Sequence, residues 1–357
     1  MAFSAVYYVF GYMPTARLIF RGIIMTYVGP IIHNVTLFFI MMVPGIIMKK
    51  KNMVTDTFGK CLSGLVLYIA QPALIFLAYL RDFDMNILVN SVWVFLLSVI
   101  IHSLFSAVAM ISFRRAPESV SRMLKFATVF SNAAFMGIPL IRAVLEPSFP
   151  GATMYASIYN ITFNLFLWSL GVYICTSGRD GNREERIGSA ERRRARVKSI
   201  LSVTAKVLIH PVTLAAALGL IFFILPINSY VPAIVVESLT MLQSLVAPLS
   251  MLIIGIRLAE MNIRDIFRDK HMYLFLALRH ILLPLAVILI VKILPLIGLN
   301  IHESVGMVSV ILASTPAASS VTMFAERYDC DAQYASRAVV TSTLLSVITM
   351  PLMFMLL

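Results

Sequence analysis

Ser131-Asn132-Ala133-Ala134-Phe135-Met136-Gly137-Ile138-Pro139-Leu140 lies in the middle of an apolar segment covering about residues 123–145. Proline has no N–H and clashes with the preceding turn, so Pro139 opposes a continuous helix. Gly137 adds backbone freedom, and the residue before a proline is pushed away from helical angles. The stretch therefore predicts two half-helices meeting near mid-membrane, with amides and carbonyls that lipid cannot satisfy. Such a break survives where it lines a protein-enclosed cavity or a substrate site. A kink repaired by neighbouring helices is the other reading, and this window alone does not separate the two.

The surrounding chain is membrane-like. It has 357 residues, 60% hydrophobic and 13% charged, with a mean hydropathy of +0.90. A soluble domain does not have this composition. Apolar segments recur near 31–48, 60–80, 87–112, 123–145, 152–176, 200–225, 231–257, 271–297, 304–326 and 333–356. At about 1.5 Å per residue each is long enough for a bilayer core of roughly 30 Å. The predicted fold is an all-α polytopic membrane protein with ten transmembrane helices.

The net charge of +12 does not point to a nucleic acid, because its distribution follows the predicted topology. Lys49, Lys50, Lys51, Lys60, Arg114, Arg115, Arg122, Lys125, the 179–206 cluster, Arg264, Arg268 and Lys270 fall on one face. Arg17, Arg21, Arg81, Arg142 and Lys292 fall on the other. The positive-inside rule then makes the odd-numbered loops cytoplasmic and puts both termini outside the cell membrane. Cys61, Cys175 and Cys330 fall at cytoplasmic helix ends and read as free thiols. Their spacing fits no zinc site, and no cofactor is expected.

Residues 1–30 read as an extension, with Pro14 interrupting an apolar run too short to span. Residues 31–176 form a first five-helix unit and 177–199 a charged cytoplasmic linker. Residues 200–357 form a second unit that echoes the first. HNVTL at 33–37 returns as HPVTL at 210–214, Pro72 as Pro248, and MYAS at 154–157 as QYAS at 333–336. The displacements are 177, 176 and 179 residues. Five is an odd number, so the second copy enters from the opposite face, which predicts a five-plus-five inverted repeat. Helix 9 should then repeat the break of helix 4, and it carries STPAASS at 314–320 with Pro316 near mid-span.

In both broken helices the proline suits the first turn of the second half, where no N–H is needed. The free amides there carry about half a positive charge. Asn132, Thr315, Ser319 and Ser320 can add neutral donors, and Gln71, beside Pro72, can face the same cavity. Donors without a full charge suit a small carboxylate that must also leave. Ser and Thr that merely permit close helix approach are the plainer reading. Glu237, Arg279, His280 and Lys292 are costly in lipid, yet all but His280 fall within snorkelling reach of an interface. His102 reads as a packing residue, and Asn160 and Asn164 share one helix face.

SNAAFMGIPL, VTLFFIMMVPGIIMKKKNMVT at 35–55, YIAQPALIF at 68–76 and STLLSVITMPL at 342–352 together resemble the auxin efflux carrier family from about residue 28 to the end. The resemblance implies broken, crossing helices 4 and 9, an architecture shared with bile acid–sodium symporters. It also implies elevator-type movement of a transport domain against helices 1, 2, 6 and 7. Asn132, Gly137 and Pro139 match the helix 4 crossover and Pro316 that of helix 9. The implied function is secondary transport of a small organic anion, malate, malonate or an auxin-like acid, and not catalysis. The short linker favours a bacterial-type carboxylate permease. Expected partners are that anion, the lipid bilayer and a coupling proton or sodium ion, with a homodimer left open and no nucleic acid. A sodium-coupled symporter of another organic anion is the alternative; a channel or a membrane-embedded enzyme is remote.

Overall fold

The computed structural model describes residues 29–55, 57–176, 209–225, 227–259 and 269–356. Residues 1–28 of the predicted extension, the 177–199 linker, Arg264 and Arg268 lie outside these residues, and Gly29 and Pro30 open the first helix. Among the described residues every regular element is helical. Helix α1 is Gly29–Lys50. Helix α2 runs from Phe58–Leu65 through a π turn at Val66–Ala70 into Gln71–Tyr79, and α3 is Met85–Ser112. Helix α4 is Glu118–Val129, α5 is Ala133–Val144 and α6 is Ala152–Thr176. The second half holds α7 (Pro211–Ile224), α8 (Ala233–Ala259), α9 (Lys270–Ile297), α10 (Glu303–Ser314), α11 (Ser320–Arg327) and α12 (Ala332–Met355). Seven of these (α1, the Cys61–Tyr79 part of α2, α3, α6, α8, α9 and α12) are long and apolar enough to cross a membrane; α5, α7 and α10 are shorter apolar helices. The molecule is a multi-pass membrane protein.

Its prolines are accommodated by a repeated local device. Three π turns, Val66–Ala70, Ala133–Gly137 and Leu278–Leu282, each stand two residues before a proline, at Pro72, Pro139 and Pro284. A π turn carries an extra residue, which moves the carbonyl that a proline ring would strike and takes up the bond its missing N–H cannot make. The helical path therefore continues through all three. Ile138, just before Pro139, has φ −61° and ψ −48°. The expected break at Pro139 is thus a correction: this proline is absorbed, and the chain leaves helical geometry upstream, at Phe130 (φ −96°, ψ 110°) and Asn132 (φ −76°, ψ 47°). At Pro316 the proline rule holds, since Thr315 is extended (φ −63°, ψ 152°).

The helices pack in two groups. In one, α1 lies along the second half of α8, and α2 packs against α7 and the first half of α8. In the other, α3 packs on α4, α6 and α10, while α12 packs on α4, α10 and α11. The groups meet where Val246–Ala259 of α8 touches the π turn of α5, where α1 touches α5 and α12, and where α2 touches α6; the same segment of α8 also touches the π turn of α2. At the start of α9, the capping Asp269 accepts from the His271 N–H (2.8 Å) and from the Tyr334 hydroxyl of α12. Partial burial works against its ionisation, but these donors hold the carboxyl below the ordinary aspartate range.

The α1–α8 contact is backbone against backbone. A Cβ at Gly45 would lie 2.3 Å from the Leu252 carbonyl oxygen, and one at Gly255 would lie 2.1 Å from that of Met42. Small residues let helices approach this closely where lipid gives no hydrophobic drive. Gly255→Ala must push the two backbones apart and is expected to cost about 1–3 kcal/mol, read as a lowered unfolding temperature in detergent. Gly59→Ala, where a Cβ meets nothing within 4 Å, is the control and should leave that temperature unchanged or slightly raised.

Candidate substrate site at the paired interruptions

The two interruptions are joined to each other. Ser131 and Ala317 form an isolated antiparallel bridge. The Asn132 N–H donates to the Pro316 carbonyl at 2.7 Å, and the Ala318 N–H donates to the Phe130 carbonyl at 2.9 Å. Each break thus supplies the partner that the other lacks. The remaining groups are met locally. The Ala317 N–H donates to Ser342 Oγ (2.9 Å), and the Met136 and Gly137 N–H groups both return to the Asn132 carbonyl (3.1 and 3.0 Å).

What is left over defines the candidate site. Among the described residues, the N–H groups of Ala133, Ala134 and Phe135 in the first turn of α5 have no partner, nor do those of Ser319 and Ser320 at the start of α11. These are the orphan donors of a helix N-terminus, which carries about half a positive charge. Asn132 is 2% exposed and its Nδ2 is likewise without a partner. Gln71 is 1% exposed, and neither Nε2 nor Oε1 of its amide finds one. Such buried amides are costly unless something not always present completes them. Ser250 Oγ, on the α8 segment that touches both π turns, is a third unpartnered group.

The other predicted residues have different duties. Gly137 has an ordinary helical φ of −67°. It is small because a Cβ there would lie 2.5 Å from Leu312 Cδ2 and 3.4 Å from Thr315 Cγ2. The Thr315 hydroxyl folds back on the Leu312 carbonyl (2.8 Å). Pro316 offers its carbonyl to Asn132, while Ser320 Oγ is buried with no partner. His102 packs as expected, its ring against Tyr159, Phe163 and Phe166 and its Nδ1 on the Ser98 carbonyl (2.8 Å). Asn164 Nδ2 donates to the Asn160 carbonyl (2.9 Å). Glu237 is exposed, and Lys292 Nζ reaches the Leu356 carbonyl at the end of α12.

Arg279 overturns its sequence reading. It does not snorkel; it is 0% exposed on the π turn of α9. Nη1 donates to the carbonyl of Thr128, the penultimate residue of α4, at 3.3 Å. Nη2 donates to the carbonyl of Thr315, the residue that ends α10, at 2.7 Å. The guanidinium stands over the Phe105 ring, 5.4 Å from its centre, and Tyr159 lies within electrostatic reach. One cation therefore offsets the half-negative ends of both first half-helices. Its depth was readable: nine residues past Lys270 is about 14 Å along a helix. His280, next on the same turn, bonds Ser342 Oγ through Nε2 (2.8 Å) and Thr349 Oγ1 through Nδ1 (2.9 Å). Ser342 Oγ thus joins the Ala317 N–H (2.9 Å) and the His280 ring at one point.

A multi-pass helical protein whose unpartnered donors gather at two paired interruptions is, by class, a membrane transporter. The model of the family described as "Membrane transport protein" matches residues 30–354. The chain belongs to that family, the one that contains the auxin efflux carriers. A relative from Methanothermobacter thermautotrophicus, named as an uncharacterized transporter, is 24% identical over 311 residues, covering 86% of this chain and 92% of its own length.

Ser342→Ala is expected to leave the Ala317 N–H and His280 Nε2 unpaired at once. Each uncompensated buried group costs about 1–3 kcal/mol. Thermal unfolding in detergent should fall accordingly, while Ser342→Thr, which keeps the hydroxyl, should restore most of the loss.

Proposed function

We propose that the protein is a secondary transporter of a small organic anion, a carboxylate such as malate or malonate or an auxin-like acid, working by elevator-type alternating access. The observation that carries the proposal is the pair of interruptions. Among the described residues no buried Asp or Glu meets their free N-terminal donors or the Asn132 amide, while the opposite helix ends are offset by Arg279. A carboxylate is the natural occupant of such donors. The molecule supplies its own precedent: Glu146 accepts from the Gly151 and Thr153 N–H groups (3.0 and 2.6 Å) at the start of α6.

In this proposal the chain has ten membrane crossings in a five-plus-five inverted repeat across units 31–176 and 200–357. The two broken helices cross in the plasma membrane, and both termini lie outside. The group containing α1, α2, α7 and α8 is the scaffold and the group containing both interruptions is the moving part; the close α1–α8 and α2–α7 packing within the first group supports that division. Neutral donors bind an anion strongly enough to capture it and weakly enough to release it. A sodium-coupled symporter of another organic anion is the second reading. Uptake into proteoliposomes under an imposed sodium or proton gradient separates the two.

Purified protein in liposomes should accumulate labelled malate or malonate. Asn132→Ala removes one donor to a charged ligand, a loss of about 1.5–3 kcal/mol, and should lower kcat/KM about tenfold or more without moving the unfolding temperature. Undiminished uptake by that variant would remove Asn132 from the site.

A further inference from the structure

Arg279 is an unusual charge for its position. Among the described residues no Asp or Glu is buried, so no carboxylate faces the guanidinium in the interior. Neither His102 nor His280 can supply a negative charge: Nδ1 of His102 sits on a carbonyl, and His280 lies between two hydroxyls. Tyr159 and Phe105 are uncharged neighbours. The carbonyls of Thr128 and Thr315 lower the local cost of the cation, but a helix dipole has no net charge. Its negative end is matched by a positive end on the same helix. Among the described residues, the interior therefore holds the positive charge of Arg279 with no buried carboxylate to cancel it. Nε of Arg279 has no partner.

That charge is tied to the donors. The two guanidinium bonds reach α4 and α10, and the backbone bridge joins the segments that follow them. Displacing the interruptions without Arg279 would break both charge-assisted bonds inside the membrane and strand a bare guanidinium there. Whatever moves the site moves the charge with it.

We propose that Arg279 is the travelling counter-charge of the carrier, so that the loaded site is electrically neutral with a monocarboxylate and the empty site carries one positive charge. This rests on the alternating-access reading above and adds to it which step feels the membrane potential. With a monoanion bound, Arg279 and the passenger cancel, and the loaded site crosses the field without charge. With a dianion bound, one negative charge crosses. The returning empty site carries one positive charge in either case. Arg279 is a positioning residue here: it holds the two interruptions through Thr128 and Thr315 and sets the charge of the unit.

The test is homoexchange, in which only the loaded site moves, in proteoliposomes with an imposed potassium-diffusion potential. Wild-type exchange of a transported monocarboxylate should be the same with and without the potential, whereas exchange of a dicarboxylate should change several-fold. The upper limit is roughly 50-fold for one charge crossing the whole field at about 100 mV. Net monocarboxylate uptake, which includes the empty return, should respond to the potential. Arg279→Lys keeps the charge but cannot span two carbonyls; it should exchange more slowly with the wild-type pattern. Arg279→Gln should make monocarboxylate exchange potential-dependent. Potential-dependent monocarboxylate exchange by the wild-type protein overturns the proposal while leaving the carrier reading intact. Failure to take up any carboxylate overturns the carrier reading and this inference together. The wild-type comparison of the two substrate charges decides the matter even if a variant does not fold.

Discussion

Inside a bilayer, a peptide group that leaves the helical ladder must find another partner, and this molecule answers with two breaks that satisfy one another. The pair of bonds between Asn132 and Pro316 and between Ala318 and Phe130 is what permits both chains to be irregular at all. Neither break is stable alone, since each leaves carbonyls and amides that only the other reaches. The Leu312–Gly137 approach, the Ser342 hydroxyl and the Arg279 guanidinium all serve this junction.

From that junction the polarity of the site follows. Where the first half-helices end, the carbonyls are gathered under a buried cation; where the second halves begin, several amides are left open. In the proposed function, this contrast in how the two kinds of helix end are treated is what receives the negative charge, with no buried Asp or Glu among the described residues. It also explains why the neighbouring side chains are amides and hydroxyls. A second full positive charge beside Arg279 would be costly to bury, and a carboxylate would fill the donors permanently.

The π turns extend the same use of backbone geometry. At Pro72, Pro139 and Pro284 they let a proline sit in a span without severing it, and they stand beside Gln71, Asn132 and Arg279, buried polar residues with unpartnered atoms. A turn with an extra residue rotates the side chains that follow it. Within the third turn, adjacent Arg279 and His280 serve different elements, one holding α4 and α10 and the other α12.

Hydropathy and short polar interruptions made the all-helical, multi-pass character legible from the sequence, because burial in lipid constrains every residue of a span locally. The same local chemistry marked 131–140 and 314–320 as places where helix fails. Tertiary structure alone decided where the first failure falls, since the proline signal at Pro139 is erased by a π turn and the break moves to Phe130–Asn132. It alone gave Arg279 its role, because the carbonyls that residue holds are 151 and 36 residues away along the chain, and the Ser342 that meets Ala317 is 25 away. Periodicity and propensity report on neighbours in sequence; which distant carbonyl meets a buried cation is settled only when the helices pack.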